Sequence, residues 1–157
     1  MPRPGLDDIW TGGCQYGAVR YALQERPSNA CICDCRMCQK QFGSFFGAFI
    51  SVLPDHMRIT RGTPLFYKFL SSPQIAVTIS VRDHHSELKP LVQFGIEARE
   101  PWFADLFHLP ATVTGEGDNG VGDTPERFGN IRMSSRQHPD HDTTDWPPKT
   151  AHPGGGA

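Results

Sequence analysis

Four cysteines fall within eight residues, Cys31 to Cys38, and three of them make Cys33-Asp34-Cys35-Arg36-Met37-Cys38, a C-x-C-x-x-C. This cluster constrains the chain more than any other feature. In an extended segment, residues two apart face the same side, so Cys33 and Cys35 present their sulfurs together. The x-x-C turn that follows brings Cys38 round to the same point. Three convergent thiolates suit zinc, with Zn–S bonds of about 2.3 Å, and leave a fourth tetrahedral position open as in catalytic zinc sites. A soft metal with an open position favours an incoming thiolate and lowers its pKa. Two other readings of the same residues stand beside this one. Cys31 lies on the same strand face and would close a four-cysteine site, or the thiols are free and buried.

Composition sets the surroundings of the cluster. The chain has 157 residues, enough for one domain and marginal for two. Five cysteines, an odd number, exclude complete internal disulfide pairing. The opening MPRPGLDDIW has no apolar h-region, so the expected compartment is the cytoplasm, where clustered thiols bind metal or do thiol chemistry. Fifteen Lys and Arg against seventeen Asp and Glu give a net charge of −2. That excludes bulk electrostatic binding to nucleic acid or an anionic membrane. The longest apolar stretch, 45–53, is interrupted by Gly47 and Ser51 and falls far short of the ~18 residues of a membrane span. Sixteen Gly and fourteen Pro argue against a helical bundle.

The hydrophobic pattern reads as strands. Val19, Tyr21 and Leu23 alternate with smaller or polar residues, and Pro27 ends that run. Residues 29–35 read as extended and 36–41 as one short helical turn. Strands are expected over 45–53, 56–60, 65–70 and 91–96, with the clearest over 75–81, where Ile75, Val77, Ile79 and Val81 share a face. Residues 101–106 suit a short helix carrying Trp102 and Phe103. The expected organisation is a loose arm over 1–9, a β domain over 10–113 and a loop-rich tail over 114–157. In that tail, 114–127 reads as a flexible loop, and Ile131 and Met133 can dock a last short segment. A small mainly-β domain of this kind has a small core and often relies on a metal or other cross-link.

Several motifs together resemble one family. Gly12-Gly13-Cys14-Gln15-Tyr16-Gly17-Ala18-Val19-Arg20-Tyr21 is similar to the opening G-x-C-x-C-G-x-V-x-[FY] of the glutathione-dependent formaldehyde-activating enzymes, which include centromere protein V. Cys33 to Lys40, followed by Gly43, resembles that family's C-H-C-x-x-C-[RK]-[RK]…G segment. Thr60-Arg61-Gly62, the Tyr67…Ser71-Ser72-Pro73 stretch, 77–81 and Glu97…Pro101-Trp102-Phe103 fit its later parts, so the resemblance covers about 10–110. It implies a β-tent-like zinc-binding domain of several short antiparallel strands with one or two short helical turns. It also implies a catalytic Zn(2+), one per chain, on Cys33, Cys35 and Cys38. The implied activity is that of a carbon–sulfur lyase acting on a glutathione–aldehyde adduct, S-hydroxymethylglutathione, in exchange with glutathione and formaldehyde. The alternative is a non-catalytic, degenerate zinc-binding module of the same family.

The chain departs from that pattern in its second half-site. The family's structural zinc uses both cysteines of G-x-C-x-C and a later C-x-x-C. Here Tyr16 stands at the second position and no C-x-x-C follows Cys38. Pro73 runs almost directly into the strand at 75, so a segment of a few tens of residues is missing relative to the family. Losing a structural zinc removes on the order of 10 kcal/mol in small zinc peptides. Extra packing or a homodimer interface would have to offset it. Asp83-His84-His85 lies near the gap and reads as a solvated polar turn, with Cys14 an unpaired thiol or a partner for Cys31. Asp34 stands where the family has His. Strand alternation points it away from Cys33 and Cys35, toward a structural or ligand-orienting role, although a ligand or proton acceptor in the reaction are further options. Arg36, Gln39 and Lys40 could attract substrate carboxylates or simply form the exposed face of a helical turn. Phe45, Phe46 and Phe49 read as core. His138-Pro139-Asp140-His141-Asp142 reads as a hydrated tail.

Overall fold

A computed structural model describes residues 10–66, 72–111 and 124–134. The chain is mainly β, in two sheets of short strands. The first sheet contains β1 (Trp10–Gly13), β2 (Arg20–Leu23) and β5 (Met57–Arg61) in the order β1-β2-β5, all antiparallel. The second contains β3 (Cys31–Cys33), β4 (Gly47–Val52), β6 (Ile75–Thr78) and β7 (Val92–Phe94) in the order β6-β4-β3-β7. One short helix, α1 (Arg36–Phe42), sits between β3 and β4. A second, α2 (Pro125–Ser134), comes late in the chain. Among the described residues no helix is long and apolar enough to cross a membrane.

The core follows from the strand alternation. Tyr21 and Leu23 of β2 are buried with Ile50 of β4, Val77 of β6, and Ala30, Ile79 and Leu88. Ile50 is completely enclosed. Trp10, Met57, Ile59, Ile75 and Val81 close over this cluster from the two sheets. Glycine is required where β1 crosses β2. A Cβ on Gly12 would lie 2.5 Å from the Val81 carbonyl oxygen and against the Tyr21 ring and hydroxyl.

Three features differ from the sequence expectation. The strand expected over 75–81 ends at Thr78, and Ile79–Val81 forms a 3-10 turn. There the chain leaves the second sheet and crosses to the first, where Arg82 bridges Gly12. Ile79 still reaches the core, which is why its side chain fits the alternating pattern. The strands are also not all antiparallel, since β7 pairs with β3 in parallel, Cys33 beside Phe94. Finally, 125–127, expected to be loop, lie in the first turn of α2, where Thr124 Oγ1 accepts from the Arg127 N–H. The short helix expected over 101–106 is found over Phe103–His108, in 3-10 form. Of the strand expected over 65–70, residues 65 and 66 are irregular. The rest of it, the arm over 1–9 and the His138–Asp142 motif lie outside the described residues.

Candidate metal centre

The site starts at the end of β3. Cys33 is the last residue of that strand and Cys35 is the N-cap of α1. Cys38 lies in the first turn of α1, so its N–H would otherwise be without a helical partner. That N–H donates to Cys35 Sγ at 3.4 Å. A strand end, a cap and a first helical turn therefore bring three thiols together within six residues. The three sulfurs all lie within 4.8 Å of one another. Among the described residues this is the single group of three His, Cys, Asp or Glu side chains close enough to share an ion.

Cys31 is not part of this group. It shares a strand face with Cys33 but sits one strand repeat away, buried, with its sulfur 3.6 Å from the Phe49 carbonyl. The structure thus brings together Cys33, Cys35 and Cys38 and leaves out the fourth thiol of a closed site. Cys14 and Cys31 are both free, not joined as a disulfide.

Electrostatics separate the thiols. Burial raises the pKa of Cys38 strongly, and the neighbouring Cys35 and Cys33 sulfurs add to it. Burial also raises Cys33 and Cys31. Cys35 is lowered, first of all by the N–H of Cys38 that points at its sulfur. A bound cation would reverse the upward shifts, because metal binding requires and stabilises thiolates.

Behind the thiols the packing is polar and tight. Asp34, between the first two cysteines, is completely buried. Its Oδ2 accepts from Arg99 Nη2 at 3.0 Å, and its backbone N–H donates to the Phe94 carbonyl at 2.9 Å. Asp34 therefore takes the structural role that strand alternation assigned it. It is enclosed, and its Oδ2 is engaged by Arg99. Gln39 departs from expectation. It is buried rather than exposed, and its Nε2 donates to the carbonyls of Asp34 at 2.8 Å and Ala98 at 3.0 Å. Arg36 and Lys40 do lie on the exposed face.

Sequence reading missed Arg99 and the bridging role of Gln39, because both act across the β3–β7 pairing. The available signal was Asp34 itself. A carboxylate pointing inward from a strand needs a buried cationic or donor partner.

The aromatic residues are also placed differently from expectation. Phe45 is exposed, with its ring edge-on to Trp102 at 4.7 Å. Phe46 meets Phe103 at 5.6 Å and Phe49 stacks on Phe42 at 5.9 Å. Phe45 and Phe46 clasp the 102–103 segment and Phe49 packs on α1, instead of filling the central core. A recess of about 470 Å³ beside Cys33 is lined by Phe49, Leu91, Val92 and Phe94.

The second half-site looks different. Cys14 lies at the β1–β2 turn, and its sulfur accepts from the Val19 N–H at 3.3 Å, which with other backbone N–H groups of the turn lowers its pKa. Tyr16 is exposed at 76%. Asp83 is not simply solvated: it pairs with Arg20 and accepts from Thr11 Oγ1. His84 and His85 are exposed and gather no third ligand among the described residues. Cys14 faces a cleft of about 820 Å³ lined by Tyr21, Met57, Ile59, Ile75 and Val77.

No curated protein matches the chain. The sequence model of the glutathione-dependent formaldehyde-activating enzymes matches residues 9–83, which contain the whole thiol cluster and end before β7. Residues 9–83, just under half of the chain, thus resemble the glutathione-dependent formaldehyde-activating enzyme family.

Proposed function

We propose that the chain is a zinc-dependent carbon–sulfur lyase acting on a glutathione–aldehyde adduct of the S-hydroxymethylglutathione type. The observation that carries this reading is the three-sulfur cluster, with no fourth protein ligand beside it among the described residues, inside the family-matched segment. The donor set fits zinc: three soft sulfurs within 4.8 Å of one another. Cys33, Cys35 and Cys38 would hold the ion. Zinc bound there supplies Lewis acidity and keeps an incoming thiol ionised at neutral pH.

The chain's own residues do the rest. In the cleavage direction the adduct hydroxyl loses its proton and the C–O bond becomes the aldehyde carbonyl. The C–S bond breaks and its electron pair stays on sulfur as the glutathione thiolate. With Asp34 enclosed, the proton passes to solvent water. Arg36 and Lys40, exposed on the α1 face beside the cluster, attract the carboxylates of the glutathione portion. The apolar recess at Cys33 shelters the carbon being released.

A second reading, a non-catalytic zinc module, is favoured by one observation: Cys14 is the lone thiol at the family's second site. One experiment separates the two. Exchange between glutathione, formaldehyde and their adduct is followed by NMR with zinc-loaded protein. The lyase reading expects exchange well above the uncatalysed rate and its loss in Cys38→Ser. Zinc-loaded protein that leaves the rate unchanged contradicts the lyase and supports the module.

A further inference from the structure

The thiol loop is held from behind by a segment that the family match does not reach. Asp34 accepts from Arg99 through Oδ2, while its Oδ1 is buried with no hydrogen-bond partner. Arg99 Nη2 also donates to Gln93 Oε1 at 2.8 Å, so one guanidinium ties Asp34 to β7. Gln39 bridges the Asp34 and Ala98 carbonyls, and its own Oε1 accepts from Arg36 Nη1 at 3.0 Å. Gly95, at φ 65°, lets this segment lie directly on Cys35. A Cβ there would fall 2.8 Å from the Cys35 nitrogen and 2.9 Å from its Cβ.

These contacts converge on the backbone between Cys33 and Cys35. A buried ion pair is weak evidence for stability, since a well-packed apolar pair of similar volume often does as well. What this pair fixes is local: the orientation of a dipeptide whose two neighbours are both thiol ligands. The charge is also apt. Zinc on three thiolates is a net anion, Asp34 adds another negative charge, and Arg99 is the cation facing it. Partners behind the ligands of a metal site commonly change affinity 10–100-fold.

We propose that Arg99 and Gln39 are positioning residues of the metal centre, acting through Asp34 to hold Cys33 and Cys35 at chelating distance. The proposal rests on the reading that Cys33, Cys35 and Cys38 bind zinc. It makes the 93–99 segment, beyond the family match, a working part of that site.

The test uses the full chain, first metal-free and then titrated with Co(2+) and with Zn(2+) against a competing chelator. The readouts are the sulfur-to-cobalt absorption bands, the zinc affinity and the unfolding temperature of the metal-free protein. Wild-type protein should bind one ion with intense thiolate bands. Arg99→Met should lose about 10–100-fold in zinc affinity and show altered bands. Arg99→Lys, which keeps the charge but loses the reach and the planar guanidinium whose Nη2 serves both Asp34 and Gln93, should fall between the two. Gln39→Met removes the bridge without stranding a charge and decides the matter if Arg99→Met fails to fold. It should bind zinc about tenfold more weakly. Folded variants with wild-type affinity and unchanged bands, whatever their unfolding temperature, would overturn the proposal and leave the zinc reading intact. Wild-type protein that binds no metal would overturn both.

Discussion

At one end of the molecule three thiols meet at a point, with an ion pair, a glutamine bridge and a close-packed glycine behind them. At the other end a single thiol at the β1–β2 turn faces an 820 Å³ cleft. The difference follows from how each site is assembled along the chain. The first draws its three thiols from six consecutive residues, and a strand end with a helix cap is enough to aim them. In the family pattern the second needs two distant segments. When one segment is missing, the remaining cysteine has nothing to converge with. A locally encoded site survives changes elsewhere in the chain, whereas a site closed across the fold does not.

The sharpest way to break this comparison is Cys35→Ser. Serine can still cap α1, because its hydroxyl accepts the Cys38 N–H as the sulfur does. The fold should persist while zinc binding falls from stoichiometric to negligible by elemental analysis. Zinc retained in that variant would place the ion elsewhere. Next in size is Ile50→Ala, which opens the completely enclosed core residue shared by both ends. It should destabilise by about 2–5 kcal/mol in chemical denaturation. Zinc stoichiometry in the folded fraction should stay the same. Gly95→Ala combines a left-handed backbone angle with a clash against Cys35, at about 1–3 kcal/mol. Unlike Ile50→Ala, it should also weaken zinc binding, which separates the thiol end from the core.

The smallest effects belong to Cys14. In metal-free protein at neutral pH, Cys14 and Cys35 should alkylate before Cys31 and Cys38. Backbone N–H donors lower the first two, and burial raises the others, so the slower pair becomes reactive only as the pH climbs above the ordinary thiol range. Adding zinc should protect Cys35 and leave Cys14 reactive, read by mass spectrometry. Cys14→Ser should change stability by no more than about 0.5 kcal/mol and zinc content not at all. A large loss of zinc in that variant would mean that the two ends are coupled.

The thiol end was legible in the sequence because its information is local. Alternation placed Cys33 beside Cys35, and the x-x-C spacing placed the helix, expected over 36–41 and found over Arg36–Phe42. The departure from the family pattern is legible for the same reason, since Tyr16 and the absent C-x-x-C are read directly from the chain. Pairing across the fold was not legible. Nothing in Val92–Phe94 announces a parallel partner some sixty residues earlier, so Arg99 and the bridging role of Gln39 are not legible there. Ile79 and Val81 continue an apolar alternation after the backbone has turned into a 3-10 segment. Periodicity reports which side chains are buried, and that can outlast the strand. Phe45 misled in the opposite way. An apolar ring next to a strand reads as core, yet it packs against Trp102 at the surface.

Zinc K-edge X-ray absorption on the stoichiometric complex tests the central claim most directly. The account predicts three sulfur neighbours at about 2.3 Å and one lighter oxygen or nitrogen neighbour, which is the open position a substrate thiolate would take. Four sulfurs would mean that Cys31 or Cys14 moves in to close the site, and would contradict the account.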